Sequence, residues 1–159
     1  MSDTTVLLVN PNRMQPPIAP LGIEYLADAL RRHAYHPVLC DLTFAEDWGG
    51  TLDAAIDETS PAAVAVSVRN IDDAYFASRD FVLERTREMV QRTMAQTDVP
   101  VVLGGVGFSM APAAVLRYTG AHYGVAGASE DALPALLDAL SEWSEPENVA
   151  GAVYRGPID

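Results

Sequence analysis

The chain has 159 residues, a length typical of one domain, and 49% of them are hydrophobic, which is ordinary for a globular protein. The net charge of −12 argues against a general nucleic-acid binder, because such proteins more often carry a basic face. The single cysteine, Cys40, excludes an internal disulfide framework and a cysteine cluster for zinc or iron–sulfur. No long apolar run and no basic N-terminal region are present, so we expect no membrane span, no signal peptide and a cytoplasmic location.

Short apolar runs alternate with segments of helical periodicity along the chain. The runs predict five strands, at 6–10, 37–42, 62–68, 99–103 and 122–126, and a further stray strand at 149–154 that would lead out of the domain. Apolar residues at helical spacing predict helices at 21–33, 51–59, 73–96 and 111–118, and a last helix with Ser129 as its N-cap. Continuous apolar strands separated by helices indicate an α/β fold with a doubly wound parallel sheet of order 2-1-3-4-5.

The carboxyl ends of the predicted strands form the expected ligand site. In such a sheet, ligands bind where the strand order reverses, which here lies between the ends of strands one and three. The loops at that place read "NPNRMQPP" and "SVRNIDD", and the ends of strands four and five add "GGVGF" and "AGASE". Arg69 is therefore expected at the edge of a crevice, although it follows directly on a buried strand.

The loops at this edge lack the motifs of the common nucleotide-binding sites. The first loop has no G-x-G-x-x-G and no Ser/Thr-rich turn for a flavin phosphate, and a chain without lysine has no phosphate-loop lysine. The four prolines of "PNRMQPPIAP" make that loop stiff and poor in N–H donors, which suits a wall beside a large flat ligand. Gly104, Gly105 and Gly107 allow a ligand tail to approach the backbone closely.

Several of these stretches together resemble a known family. "LLVNPN", "PLGIEYLADAL", a strand ending in "SVR", "VVLGGVGFSMAPAAVL" and "GVAGASEDALPALLDAL" are similar to the cobalamin-binding domain of cobalamin-dependent radical S-adenosylmethionine (SAM) enzymes, over about residues 4–140. The resemblance implies a flavodoxin-like (Rossmann-like) fold, with the corrin ring lying flat across the carboxyl ends of the strands. It also implies that the dimethylbenzimidazole tail runs down a cleft beside strands one, three and four.

The resemblance also implies which residues contact the cofactor. Ser67 matches the serine that bonds the tail, Gly104 and Gly105 match a glycine pair that lets the tail pass, and "GASE" at 127–130 is an altered form of the family's "GEGE". The complete set of expected cofactor-binding residues is Asn10, Pro11, Asn12, Arg13, Gln15, Ser67, Val68, Arg69, Asn70, Gly104, Gly105, Val106, Gly107, Gly127, Ala128, Ser129 and Glu130.

One departure concerns the lower ligand of the cobalt. Many cobalamin domains carry D-x-H-x-x-G after the first strand, and its histidine ligates the metal, but the loop here contains no histidine. His33, His36 and His122 are expected at the opposite edge of the sheet, so we expect cobalamin to be bound without a histidine ligand. Arg69 has no lone pair with which to ligate a metal. Our hypothesis is that it lies under the corrin and favours the electron-rich state of the cobalt. The alternative is a structural role in the loop, either an ion pair with Asp72 or Asp73 or a cap on carbonyls at the strand end.

For other residues the sequence leaves two roles open. Asn70 either bonds a corrin amide or closes a turn, and Asn10, Asn12, Arg13 and Gln15 either reach the corrin side amides or are solvated. Cys40 is interpreted as a buried apolar residue. Tyr25 and Leu26 are expected to face the core, and Phe108 and Met110 either pad the tail pocket or, as we favour, pack in the core.

The chain lacks the three cysteines, usually C-x₃-C-x₂-C, that hold the [4Fe–4S] cluster of a radical SAM enzyme. We therefore expect residues 1–141 to be a cobalamin-binding domain and 142–159 a linker towards a radical SAM domain, which would hold the cluster and SAM in a longer parent protein. In that reading the domain carries a methyl group for a methyltransferase of natural-product tailoring. The alternatives are a stand-alone cobalamin carrier, a cofactor-free flavodoxin-like interaction or sensory module, and a flavin-binding domain.

Overall fold

The computed structural model describes residues 4–73, 80–142 and 146–155. The strands are β1 (Thr4–Asn10), β2 (Tyr35–Asp41), β3 (Ala63–Ser67), β4 (Val101–Gly104), β5 (Tyr123–Val125) and β6 (Ala152–Tyr154). The helices are α1 (Leu21–Arg32), α2 (Trp48–Thr59), α3 (Leu83–Gln96), α4 (Val106–Met110), α5 (Pro112–Thr119) and α6 (Ser129–Ser141), and a 3₁₀ turn spans Pro146–Asn148.

The strands form one mostly parallel sheet of order β2-β1-β3-β4-β5-β6. The first five run parallel in the order that the sequence predicts, so the doubly wound α/β fold is confirmed. The sixth strand differs from the prediction. β6 is not a stray strand leading out of the domain but pairs antiparallel with β5, with Gly124 opposite Val153. The N–H of Ala126 donates to the carbonyl of Gly151 at 2.8 Å, so this pairing satisfies backbone groups at the edge of β5.

The two faces of the sheet carry separate hydrophobic cores. On one face, Ile23 and Leu30 of α1 and Leu136 of α6 pack over side chains of β1, β3, β4 and β5. On the other face, α2, α3, α4 and α5 supply the buried side chains, with Met89 and Phe108 among the largest. Side chains of a strand alternate between the faces, so each helical layer meets every second residue of each strand.

The long helix predicted over 73–96 begins later in the structure. Val82 is the N-cap of α3, and residues 80–82 precede the helix. The N–H of Leu83 donates to the carbonyl of Ile71 at 3.1 Å, and that of Asp73 donates to the carbonyl of Asp80 at 3.1 Å, so long-range backbone bonds replace helical ones. The predicted Tyr75/Phe76 pair lies outside the described residues.

The short helix α4 was not predicted from the sequence. It follows β4 directly and begins after Gly105, whose φ is +98°. Among the described residues, no helix combines the length and hydropathy needed to cross a membrane.

Candidate functional site

A cavity of 470 Å³ opens at the carboxyl ends of the strands, on the face of the sheet that α1 and α6 cover. This volume lies within the usual range of small-molecule sites. The residues that line it are Leu8, Gly22, Ile23, Leu26, Ala65, Val66, Ser67, Val102, Leu103, Gly104, Gly105, Val106, Ser109, Val125, Gly127, Ala128, Ser129, Glu130 and Leu133.

The cavity exists because the central strand presents small side chains on this face. Ala65 of β3 lies in register with Leu8 of β1 and Val102 of β4, and the pair Ser67 and Gly104 follows two residues later. Since residues two apart point to the same face of a strand, Ala65 and Ser67 leave a depression between larger neighbours. The remaining walls come from α1 and α6.

Glycines keep the mouth of the cavity open. At Gly22 in the first turn of α1, and at Gly127 after β5, a β-carbon would meet no atom within 4 Å. At Gly104 it would lie 3.4 Å from the Oγ of Ser129. Any side chain at these positions would therefore extend into space that a ligand could use.

Part of the predicted cofactor-binding set lies at this cavity. Ser67, Gly104, Gly105, Val106 and the four residues 127–130 line it. The other nine do not line it: Asn10, Pro11, Asn12, Arg13, Gln15, Val68, Arg69, Asn70 and Gly107. Val68 is 1% exposed in the core on the opposite face, and its carbonyl accepts the N–H of the buried Gly107 at 2.9 Å.

The polar side chains of the first loop are largely engaged within the protein. Asn10 is buried, and its Nδ2 donates to the Oδ1 of Asp41 at 2.9 Å and to the Oγ1 of Thr43 at 3.1 Å. The Oδ1 of Asn10 accepts the N–H of Asn12 at 3.3 Å, and the Oδ1 of Asn12 in turn accepts the N–H of Met14 at 3.2 Å. These amides therefore hold the loop against β2.

The other predicted residues of this loop differ in exposure. Arg13 contacts the loop that follows β2, where its Nη2 donates to the carbonyl of Ala45 at 2.8 Å. Pro11 is buried, as is its neighbour Asn10, whereas Gln15 is exposed. Of this group, Gln15 is thus the residue with the greatest freedom to meet a ligand outside the loop.

Arg69 and Asn70 follow β3 at the same edge. Arg69 is exposed. No ion pair within the described ranges includes it, and the alternative ion pair with Asp72 or Asp73 is therefore not observed there. Asn70 contacts the first loop, with its Nδ2 3.1 Å from the Sδ of Met14. The segment after β3 is thereby joined to the segment after β1.

Tyr25 and Met110 have positions other than those expected from the sequence, whereas Leu26 and Phe108 pack in the core as expected. Tyr25 is 66% exposed and does not face the core, and Met110 is 76% exposed and packs neither in the core nor in the cavity. Leu26 both packs on the core and lines the cavity. Phe108 is fully buried, as favoured, under Gly124, where an added β-carbon would collide with its ring.

Ser129 is also placed differently from the prediction. The N-cap position belongs to Ala128 and no side-chain bond caps the helix, while Ser129 is the first helical residue. Its hydroxyl instead faces Gly104 across the cavity mouth. The first-turn acidic residues Glu130 and Asp131 lie where the sequence predicts them.

Sequence reasoning missed most of the cavity walls. The apolar runs predict Leu8, Ala65 and Val102 only as core strand residues, and no motif in the sequence marks Gly22 or Ser109 as a wall residue. The available signal was the alternation of small and large residues in "AVAVSV", which marks one face of β3 as recessed.

Cys40 is 5% exposed and belongs to the core, as interpreted from the sequence. Burial, together with the smaller effect of the nearby Asp41 carboxylate, raises the pKa of its thiol to about 11. Because the thiolate is the reactive form, Cys40 is suited to packing and not to redox chemistry.

All three histidines lie at the amino ends of the strands, opposite the cavity mouth. His36 is in register with Thr5 near the start of β1, and His33 follows α1 on the way to β2. The Nδ1 of His122 accepts the N–H of Val101 at 3.2 Å at the start of β4. Burial lowers the pKa of His122, and the Arg155 guanidinium lowers it further. No group of three or more His, Cys, Asp or Glu that could hold a metal occurs in the described part of the chain.

The model of the B12-binding domain family matches residues 12–137 of the chain. The chain belongs to the B12-binding domain family. The ligand of this family is cobalamin, so the cobalamin assignment made from the resemblance is confirmed. A domain of this kind also accounts for an apolar cavity at the carboxyl ends of the strands of a parallel sheet.

The B12-binding domain is similar to parts of larger enzymes. It is 36% identical, over 96% of its length, to tryptophan 2-C-methyltransferase of Streptomyces laurentii, of which it covers 26%. It superposes with a TM-score of 0.91 and 38% identity on the radical SAM methyltransferase TsrM of Kitasatospora setae, in a structure with cobalamin and a [4Fe–4S] cluster bound. The match covers 97% of this chain and 27% of that enzyme. The radical SAM enzyme OxsB shares the fold, with a TM-score of 0.76 at 17% identity.

The residues of this cavity fit the nucleotide tail of cobalamin. The open space beside Gly22 and Gly127, the recess at Ala65 and the close approach permitted at Gly104 together leave room for a flat bicyclic base between sheet and helices.

Proposed function

We propose that this domain holds cobalamin without a histidine ligand to the metal and serves as the methyl-carrier module of a radical SAM methyltransferase. When bound, cobalamin supplies a cobalt centre that accepts and donates a methyl group. The observation that carries the proposal is the position of the histidines. All three lie at the amino ends of the strands, whereas the cavity opens at the carboxyl ends.

In this proposal the tail of the cofactor occupies the cavity and the ring covers its mouth. Ser67 and Ser129 stand at the mouth, where their hydroxyls can bond the ribose or phosphate of the tail. The N-terminus of α6 also favours a polar tail at this place. Because the first turn of α6 carries acidic side chains, hydroxyl and backbone groups would make the hydrogen bonds to the tail. The floor and helical walls enclose the base.

Residues around the mouth would contact the ring. Arg69 is exposed at the end of β3 and has a charge that no described ion pair compensates, so its guanidinium is available to the underside of the ring. There it would exclude a water ligand without providing a ligand atom of its own. Asn70 and Gln15 are the amides best placed to bond the side amides of the ring, while Asn10 and Asn12 act indirectly by holding the first loop.

The proposed partner is a radical SAM domain that holds a [4Fe–4S] cluster and SAM. The chain spans 26–29% of the length of the enzymes it matches at 36–38% identity, and it has one cysteine, which is buried. Both of those relatives are methyltransferases, and one is named for methylation of tryptophan at carbon 2. Tryptophan or a related indole is accordingly the first methyl acceptor to assay in an enzyme that contains this domain.

The test is reconstitution of the 159-residue chain with hydroxocobalamin, followed by desalting and an optical spectrum. A red complex with one cobalamin per chain is expected. Colourless protein would favour a cofactor-free module, and yellow protein as purified would favour a flavin domain, so either result would refute the proposal.

A second measurement tests the missing histidine ligand. The variants His33→Asn, His36→Asn and His122→Asn are each expected to bind cobalamin with the spectrum of the wild-type complex. A change in the bound spectrum caused by any one of them would show that a histidine reaches the metal.

A further inference from the structure

The floor of the cavity is made of hydrocarbon. Leu8, Ala65 and Val102 form one row across β1, β3 and β4, and they are 1%, 8% and 2% exposed. Ile23 of α1 and Leu133 of α6 face them, at 6% and 2% exposed. The backbone N–H and C=O groups of this row are paired within the sheet, so they are not available to a ligand.

The polar side chains of the cavity lie at its mouth. Ser67 ends β3, Ser129 begins α6, and Glu130 follows it. Ser109 is already engaged, because its Oγ donates to the carbonyl of Gly105 at 3.0 Å and accepts the N–H of Gly127 at 2.9 Å. A group that reaches the floor therefore passes all hydroxyls of the cavity and meets carbon atoms.

We infer that this cavity selects corrinoids by their lower base, accepting dimethylbenzimidazole and discriminating against a purine such as adenine. The inference rests on the proposed function, since it requires the tail to enter the cavity. Dimethylbenzimidazole presents one free ring nitrogen and two methyl groups. Adenine presents several ring nitrogens and an exocyclic amine, and buried polar groups without partners weaken binding.

The principal experiment compares three ligands on the wild-type chain by optical titration. They are cobalamin, the corrinoid that carries adenine as lower base, and cobinamide, which has no base. Cobalamin is expected to bind at least about tenfold more tightly than each of the others, which corresponds to about 1.4 kcal/mol. Equal affinity for cobalamin and the adenine corrinoid would overturn the inference, as would equal affinity for cobalamin and cobinamide.

Val102→Thr places one hydroxyl on the floor with little change in shape. It is expected to reduce the preference for cobalamin over the adenine corrinoid from about tenfold to about threefold, because adenine gains a hydrogen-bond partner. Ser67→Ala is the matched control at the mouth, and it should weaken both ligands by the same factor. If Val102→Thr folds and its preference for cobalamin over the adenine corrinoid equals that of the wild type, the lower base does not lie on the floor of the cavity.

The outcomes separate this inference from the proposed function. If the chain binds no corrinoid at all, the proposed function fails and the inference with it. If cobalamin and the adenine corrinoid bind equally and with the same spectrum, the cobalamin assignment stands and the selectivity fails. The wild-type comparison needs no substitution, so it is decisive even if Val102→Thr does not fold.

Discussion

A β-carbon on Gly105 would lie 2.7 Å from the backbone carbonyl oxygen of Val68. The same glycine has a φ of +98°, which L side chains rarely adopt, so both space and conformation require glycine here. We predict that Gly105→Ala destabilises the fold by about 2–5 kcal/mol, which corresponds to a loss of roughly 5–15 °C in Tm. Thermal unfolding followed by circular dichroism measures this loss.

Gly120→Ala is the matched control for that collision. Gly120 ends α5 with a φ of +83°, but a β-carbon there would meet nothing within 4 Å. The substitution should therefore introduce only the conformational strain, about 1–2 kcal/mol. Equal losses of Tm in the two variants would show that the backbone shifts to relieve the contact with Val68 without a further loss of stability.

Gly22 offers a way to close the cavity without disturbing the core. It precedes Leu26 by one helical turn on the same face, and both residues line the cavity. A leucine side chain at position 22 would extend into open space, so Gly22→Leu should keep its Tm and bind hydroxocobalamin at least about tenfold more weakly. Optical titration measures the affinity.

Two comparisons make the Gly22 result specific. Gly22→Ala adds one methyl group and should change the affinity much less than Gly22→Leu. Cobinamide, which lacks the base, should bind Gly22→Leu and wild type alike. A loss of cobinamide binding equal to the loss of cobalamin binding would mean that the leucine blocks the ring and not the tail.

The five parallel strands could be predicted because buried parallel strands appear in a sequence as continuous apolar runs between helices. Their order follows a common arrangement of doubly wound sheets. The cavity could have been placed on its face of the sheet from β3 alone. Ala63 and Ala65 pack towards α1 and α6, whereas Val64 and Val66 pack on the opposite core. The run is apolar throughout, so hydrophobicity alone does not distinguish its two faces.

Other features depend on partners that are distant in the chain. Nothing near Asn10 in the sequence indicates that its amide bonds Asp41, because that contact follows from the pairing of β1 with β2. The start of α3 is similarly set by the bond from Leu83 to Ile71, which the apolar stripe of the helix does not reveal. Local patterns thus predicted most of the elements, though not the short helix α4, and tertiary contacts decided which polar side chains remain available at the site.

Cys40 should be unreactive in the folded protein. It is 5% exposed, and burial raises the pKa of its thiol to about 11, so little thiolate is present at pH 8. We predict that labelling by iodoacetamide at pH 8 is at least about a hundredfold slower than in urea-unfolded chain. The double variant Cys40→Ala with Met110→Cys places the thiol at a position that is 76% exposed and should label rapidly without urea. Rapid labelling of native Cys40 would contradict its assignment to the core.

His122 should make the stability of the fold depend on pH in a known direction. Its pKa in the folded protein lies below the unfolded value of about 6.5, because burial and Arg155 disfavour the charged ring. As the pH falls below about 6.5, His122 takes up a proton more readily in the unfolded chain than in the folded protein, which stabilises the unfolded state. The contribution of the neutral His122 to the free energy of unfolding is therefore fully present above that pH and is lost as the pH falls below it. The Tm of the wild type should therefore fall between pH 7.5 and pH 5.5.

His122→Asn isolates this contribution. The Oδ1 of asparagine can accept the N–H of Val101 in place of the imidazole Nδ1, without titrating in this range. The decline in Tm between the two pH values should be smaller in His122→Asn than in wild type. His33→Asn, at an exposed position after α1, should keep the wild-type decline. Identical declines in all three proteins would exclude His122 as the source.

Arg69 provides the most direct test of how the domain meets the ring. Its guanidinium is exposed at the end of β3, and a charge beneath a bound ring would be sheltered from water, where its influence is larger. Arg69→Leu should shift the optical spectrum of bound cobalamin and Arg69→Lys should shift it less, because lysine keeps the charge but not the planar group. Arg117→Leu, an exposed position on α5, is the control and should leave the spectrum unchanged. If Arg69→Leu retains both the wild-type spectrum and the wild-type affinity, the arginine does not contact the ring.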